Sequence, residues 1–389
     1  MRTSKNQLIY LIFFLLAALQ TPFKQLNAQS QNSDFDRIKL TEVNKIFSGL
    51  ALSPDGKTLA LSTKKNEPIK LFDLESQQLI SSIEAGKWYA GSRINYSSKG
   101  SYLLAQELMF YDLIENKRRK YNFELIDVST GTIVKSFDDV QEVMVSADEQ
   151  TVASLSQGVI TLYALQGGAS EKAIRVEDAA DAFALSPDGR TLVVSHLVSA
   201  AMLKADPRYK KNKKAAKMAL KYQQQISFYD VESGQRLKTL NDLYDIIYRL
   251  RWSEDGAHVY VFQLPHLKVM TSKQLMATVN MVDAASMTSI RRGLTSQAIG
   301  HPDIRLSHDG KWFAINSKGR KYQEIHLYDY ASGNLEKRFE LGQRLFQKGD
   351  DGERLLQDER PSFVFLPDNQ SILIAMGNQL VVWNIYEDQ

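Results

Sequence analysis

The 389-residue chain contains no cysteine. That absence excludes a disulfide framework and a lipid-modified N-terminal cysteine. Histidine is scarce as well. The six present, His196, His258, His266, His301, His308 and His326, show no metal-ligand spacing, and no HExxH stretch occurs. There is no GxSxG nucleophile elbow and no glycine-rich phosphate loop. KGDDGE (348–353) has too few spaced carboxylates for a calcium loop, and SHDGKW lacks the residue that a sialidase Asp-box carries between Asp and Gly. Catalysis, a metal and a cofactor therefore all lack a sequence motif.

What is present begins with a leader. Arg2 and Lys5 precede the apolar run LIYLIFFLLAAL from Leu8 to Leu19, and a polar segment follows that ends in LNAQS. This pattern predicts a secretory signal peptide over residues 1–28, cleaved near Ala28. The run is short for a membrane span, although the bulky Leu26 leaves an uncleaved anchor as the alternative. No other membrane-spanning candidate occurs, so residues 29–389 are expected to be exported, either periplasmic or secreted. Large, exported, cysteine-free chains are more often bacterial than eukaryotic. Losing Arg2, Lys5 and Lys24 takes the formal net charge from +3 to zero, so total charge implies no polyanionic partner.

The rest of the chain is repetitive. LSPDGKTLAL (52–61) recurs as YSSKGSYLLA, VSADEQTVAS, LSPDGRTLVV, WSEDGAHVYV, LSHDGKWFAI and FLPDNQSILI. Each reads as strand, tight Asp/Gly turn and a second strand of branched residues. A second signature follows each, as in IKLFDLESQQL, FELIDVSTGTI, ISFYDVESGQRL and IHLYDYASGNL, which makes four strands per unit. Asp73, Asp127, Asp230, Asp283 and Asp329 sit at one place in five units, where a short carboxylate accepts hydrogen bonds from turn N–H groups. Their expected role is structural.

These repeats resemble the WD40 and WD40-like propellers, and the resemblance spans roughly residues 36–389. A Gly-His pair precedes only one unit, as Gly300-His301, and Trp383 is the one tryptophan at the Trp position of the Trp-Asp pair. What the resemblance implies is therefore the ring of blades, rather than the buried hydrogen-bond tetrad. The fold class expected is all-β: a seven-bladed β-propeller of four-stranded blades. After LVVWNI only YEDQ remains, so the last blade lacks an outer strand that FDRIKLTEV (35–43) is placed to supply.

Alternation along the first strand of each unit separates two rows. Leu50, Ile94, Val143, Phe183, Leu250, Ile304 and Phe363 belong to an apolar row suited to burial between blades. The other row is small or charged: Ala51, Asn95, Met144, Ala184, Arg251, Arg305 and Val364, with Gly49, Arg93, Glu142, Ala182, Arg249, Asp303 and Ser362. It is expected to face a central channel. Arg93, Glu142, Arg249, Arg251, Asp303 and Arg305 would form there either a neutralised charge network or an arginine-lined pocket for a small anion.

One stretch breaks the pattern. RYKKNKKAAKMALKYQQQ (208–225) reads as a helix after Pro207 and lies within an insertion over 198–224, between the second and third strands of the fourth unit. Such loops are where function is added to a scaffold. The resemblance places second-to-third-strand connections on one face of the disc. Five of them (62–68, 105–121, 198–224, 262–278 and 316–324) hold nineteen Lys or Arg against six Asp or Glu.

The contact candidates on this basic face are Lys117, Arg118, Arg119, Lys120, Lys210, Lys211, Lys213, Lys214, Lys217, Arg320 and Lys321. The leading expectation is a non-catalytic interaction scaffold that docks an acidic protein or an anionic envelope component there. Nucleic acid is disfavoured, because no nucleic-acid-binding motif accompanies the lysines. The alternative is a propeller-type lactonase or lyase acting on a small anion in the channel, with Glu142 or Asp303 as acid or base beside Arg249 and Arg305.

Overall fold

The structure, a computed structural model, describes residues 36–38, 40, 45–108, 120–166, 171–177, 179–266, 268–270, 276–297, 303–318, 323–341 and 361–386. Its strands pair into seven four-stranded antiparallel sheets. Blades 1 to 6 each use four consecutive strands, over residues 47–83, 92–140, 142–175, 180–239, 246–297 and 304–341. Blade 7 has three strands of its own, Ser362–Phe365, Ser371–Met376 and Gln379–Asn384. Its fourth comes from the other end of the chain: Asp36–Ile38 pairs antiparallel with it, Asp36 opposite Val382 and Ile38 opposite Leu380. The expected seven-bladed all-β ring, closed by the N-terminal strand, is what the chain forms.

The core lies in the seams. Seven apolar clusters are each drawn from two consecutive blades, including one between blades 7 and 1 that contains Ile38, Leu40, Leu50, Leu61 and Leu373. Leu50, Ile94, Val143, Phe183, Leu250, Ile304 and Phe363 are all buried, as the alternation of the inner strands requires. Gly49 shows how closely the blades approach. A Cβ there would lie 2.4 Å from the carbonyl oxygen of Ser92 and 2.6 Å from Ser62 Oγ, so blade 2 backbone occupies the space a side chain would need. Gly49→Ala is expected to cost about 1–3 kcal/mol by overpacking this seam. A urea unfolding midpoint equal to that of the parent would contradict it.

The first hairpin of blades 1, 3, 4, 5 and 6 is held by a repeated device. Ser53 Oγ donates to Asp55 Oδ1 at 2.6 Å and accepts from Thr58 N at 2.8 Å, while Asp55 Oδ1 also accepts from Lys57 N at 3.1 Å. The same bonds recur around Asp148, Asp188, Asp255 and Asp309. Blade 2 has no aspartate in this turn. Glu149 of blade 3 reaches over instead and accepts from Lys99 N at 2.7 Å. The turn between the third and fourth strands uses Asp73, Asp127, Asp230, Asp283 and Asp329, each accepting from the backbone N–H three residues on.

Serine hydroxyls, then backbone N–H groups, hold the carboxyls of Asp55, Asp73, Asp127, Asp148, Asp188, Asp230, Asp255, Asp283 and Asp329 below their ordinary value of 3.8. A carboxyl whose folded pKa lies below its unfolded one contributes stability above the unfolded value and loses it as pH falls through the folded one. The melting temperature is therefore expected to hold between about pH 7 and 5 and to fall steadily below about pH 4. A melting temperature unchanged down to pH 3 would contradict this role of the turns.

Candidate functional site

Two features stand apart from the turns and seams, and the first is the charged cluster at the axis. Arg305 on blade 6 donates through Nη1 to Asn95 Oδ1 on blade 2 at 3.0 Å. Blades 7 and 1 intervene between these two, so the bond spans the central space nearly from side to side. The other amino group of Arg305 meets Asp303 Oδ2 at 3.4 Å. Asp303 is itself fixed: its N–H donates to Asn316 Oδ1 at 2.6 Å, its carboxylate accepts from Ser362 Oγ at 3.4 Å, and Asn316 Nδ2 donates to Pro361 O at 2.9 Å.

Burial alone would raise the Asp303 carboxyl, but the guanidinium groups of Arg305, Arg93 and Arg249 outweigh it and hold Asp303 ionised below the usual carboxylate range. Arg251 shows the opposite balance. Burial first, and then the like charges of Arg249 and Arg305, push it down to about 10 against the attraction of Glu142 and Asp303. The six charged residues from blades 2, 3, 5 and 6 thus lie within electrostatic reach of one another.

The small members of the same row behave otherwise. Ala51, Ala182, Ala184 and Val364 are buried in the seams, Ala182 and Ala184 packing with Phe228 and Leu250 between blades 4 and 5. They do not line an open channel. The twist of the inner strands turns this face toward the neighbouring blade, so a short side chain ends in the seam and only a long one reaches the axis. A β-bulge at Tyr248, directly before Arg249, locally re-aims that strand.

Like charges held close in a buried setting lower stability. Arg251→Met is expected to stabilise the fold by roughly 1–4 kcal/mol at pH 7, read as a raised urea midpoint, whereas Asp303→Asn lowers it by leaving the guanidinium groups uncompensated. A loss of stability in Arg251→Met would contradict the assignment of Arg251 to an excess of positive charge.

The second feature is the insertion in blade 4. It forms three helices: α1 (Ala200–Ala205), α2 (Pro207–Lys210) and α3 (Lys213–Tyr222). Ser199, Asp206 and Asn212 cap them, accepting from Met202 N at 3.2 Å, Arg208 N at 2.8 Å and Ala215 N at 3.0 Å. The helical run starts earlier than the Pro207 expected from sequence, because Ser199 caps an additional short helix. Leu203 and Ala219 pack with Val198 over Leu243 of the connection to blade 5. Tyr222 stacks on His266 of blade 5, ring centroids 4.2 Å apart. At the base of the insertion, Gln224 donates to Asp181 Oδ2 at 2.5 Å and accepts from Ile247 N at 2.7 Å. The insertion is seated on two blades.

Its cations remain on the outside. Lys210, Lys211, Lys213, Lys214 and Lys217 are exposed, and so are Lys204 and Lys221, which belong to the same surface but were absent from the sequence candidates. The signal for those two was the lysine spacing along α3 and its neighbour. Arg208 is spent on its own cap, 2.5 Å from Asp206. Lys120 pairs with Asp139 at 3.2 Å. Lys117, Arg118, Arg119, Arg320 and Lys321 lie outside the described residues.

With this geometry in view, no family model matches the chain, and no curated protein matches it. Solved structures match in 1392 chains, a breadth that marks a scaffold shared by many proteins. One is hydrazine synthase of Kuenenia stuttgartiensis, 16% identical with a TM-score of 0.57, covering 92% of this chain and 100% of that chain. Another is the β-propeller domain of Cps50 (Swd1) from Myceliophteria thermophila, 12% identical with a TM-score of 0.57, covering 90% of this chain and 99% of that chain. The chain is a seven-bladed β-propeller. At these identities the likeness carries the fold alone, and activity has to be argued from the site.

Two histidines sit in buried hydrogen-bond chains that sequence spacing did not reveal. His196 Nε2 meets Ser227 Oγ at 2.7 Å, and Ser227 Oγ meets Thr239 Oγ1 at 2.7 Å, tying three strands of blade 4 together. His326 lies between Glu324, at 2.6 Å, and Ser296 of blade 5, at 3.1 Å. The order Glu, His, Ser is that of a hydrolytic relay. Ser296, however, is 5% exposed, which keeps a substrate carbonyl away from its Oγ. Burial lowers the pKa of both imidazoles, in keeping with satisfied interior ties. Among the described residues no three His, Asp or Glu side chains gather as a metal-holding group.

Proposed function

We propose that this propeller is a non-catalytic, exported interaction scaffold that docks an acidic macromolecular partner on the face bearing the blade 4 insertion. One observation supports this reading above others. The three helices are fixed on blades 4 and 5 through Leu203, Ala219 and Tyr222, while Lys204, Lys210, Lys211, Lys213, Lys214, Lys217 and Lys221 all remain exposed. A solvated loop has no need of caps, an apolar underside and an aromatic stack. A held array of cations, by contrast, loses little conformational freedom on meeting an acidic surface, and it steers such a partner at low ionic strength.

The enzyme alternative relied on Glu142 or Asp303 as acid or base. Asp303 is ionised, held by Arg305 and depressed in pKa, which makes it a weak proton acceptor and no proton donor near neutral pH. That weighs against catalysis through Asp303 and leaves binding as the better use of the axis.

The test is affinity capture from an envelope extract, comparing the parent with a variant in which Lys210, Lys211, Lys213, Lys214 and Lys217 are all replaced by Gln. The expected result is a partner of acidic composition that the parent retains at about 50 mM salt, releases by about 500 mM, and that the variant fails to hold. Equal capture by both proteins, or capture insensitive to salt, would overturn the proposal.

A further inference from the structure

The axial cluster is built like a receptor. Inner strands run from the face that carries the insertion toward the first hairpin turns, so residues two apart on one strand form two tiers about 7 Å apart. The upper tier, nearer the insertion face, holds Arg93, Glu142, Arg249 and Asp303, and the lower holds Asn95, Arg251 and Arg305. The bond from Arg305 to Asn95 crosses the lower tier as a strut and gives the upper one a floor. Blades 1 and 4 contribute only Gly49, Ala51, Ala182 and Ala184 at these levels, and the short side chains of the alanines end in the seams and do not reach the charges.

The arginines outnumber the carboxylates that face them. Arg305 is committed to Asn95 and Asp303, and Arg93 and Glu142 are engaged as well. Arg249 is 9% exposed and Arg251 is half-buried, and among the described residues neither has a hydrogen bond or a close ion pair, although the charge of Arg249 acts on Asp303 and that of Glu142 on Arg251. Four arginines face two carboxylates, so the cluster carries an excess charge of +2. Arg305 also keeps a buried Nε with no partner among the described residues. Guanidinium donors left incompletely paired beside one another cost stability, and their retention is accounted for by a ligand that completes their hydrogen bonds.

We propose that the axial cup binds a small dianion, its oxygens bridging Arg249 and Arg251 on blade 5, with Arg93 facing them from blade 2 and Arg305 in the floor. Paired carboxylates and phosphate share the required chemistry, oxygens presented to planar donor forks. Asp303 holds Arg305 in place, and Glu142 limits the affinity by keeping one negative charge in the cup. The ligand enters from the insertion face, whose lysines raise the local concentration of anions.

The experiment is calorimetric titration of the full-length mature protein with sodium phosphate and, separately, sodium malonate, with total ionic strength held by sodium chloride. One saturable site is expected for at least one of the two probes, and the better of them tells tetrahedral from planar oxygens. Arg249→Gln and Arg251→Gln should each weaken it about tenfold or more, the usual loss for a charge-assisted contact. Glu142→Gln should tighten it several-fold, an effect a merely structural arginine would not produce. The variant with five insertion lysines changed to Gln should keep its affinity within about threefold, which separates this site from the docking surface. The absence of a saturable site for either probe up to about 10 mM, or affinities unchanged in both arginine variants, would overturn the assignment.

Discussion

A blade buries both of its faces only when it has two neighbours, so all seven seams depend on the last one, where the chain ends meet. Asp36–Ile38 supplies that seam with an outer strand, and Ile38 and Leu40 join Leu50, Leu61 and Leu373 beneath it. Among the described residues the seven clusters between the sheets each span a pair of blades, and the remaining one lies under the blade 4 insertion. Ring closure is also what creates the axial cup. Its charged residues come from blades 2, 3, 5 and 6, and the Arg305–Asn95 strut joins blades that are not adjacent. Opening the ring would separate these residues.

Much of this architecture is legible in the amino-acid order, for a reason that can be named. Each turn needs a short acceptor and a residue tolerant of positive φ, and SPDG, SEDG and SHDG supply both at fixed offsets, with Gly56, Gly189, Gly256 and Gly310 all at positive φ. The inner strands are legible too, since burial on one face imposes a period of two. The axial row was harder. Period two separates Ala184 from Phe183, but it cannot tell a seam from a channel, because that depends on side-chain length against strand twist. Hence Ala51, Ala182, Ala184 and Val364 lie buried while the arginines of the same row reach the axis. The histidine ties were not legible at all. His326 meets Ser296 from another blade, a proximity created by the ring and absent from local spacing.

The insertion and the cup draw on the same physics in different surroundings. On the insertion, lysines stand in water, where each charge contributes little alone and the array acts through its field. In the cup, burial strengthens every interaction, so Arg251 is pushed down to about 10 and Asp303 is held ionised. A cation excess costs almost nothing in the first setting and lowers stability in the second. Its retention in the second setting is the ground for the binding site proposed at the axis.

Closure by the N-terminal strand is the claim on which the rest stands, and the cysteine-free chain offers a clean way to measure it. Asp36→Cys combined with Val382→Cys places two thiols on directly paired residues at opposite ends of the sequence. Non-reducing electrophoresis after mild oxidation should show nearly complete intramolecular cross-linking, and the oxidised protein should melt at a higher temperature than the reduced one, since the loop enclosed is very long. Failure of the two cysteines to join within the folded protein, with either one reacting freely with a thiol reagent, would mean that the ring is not closed in this way.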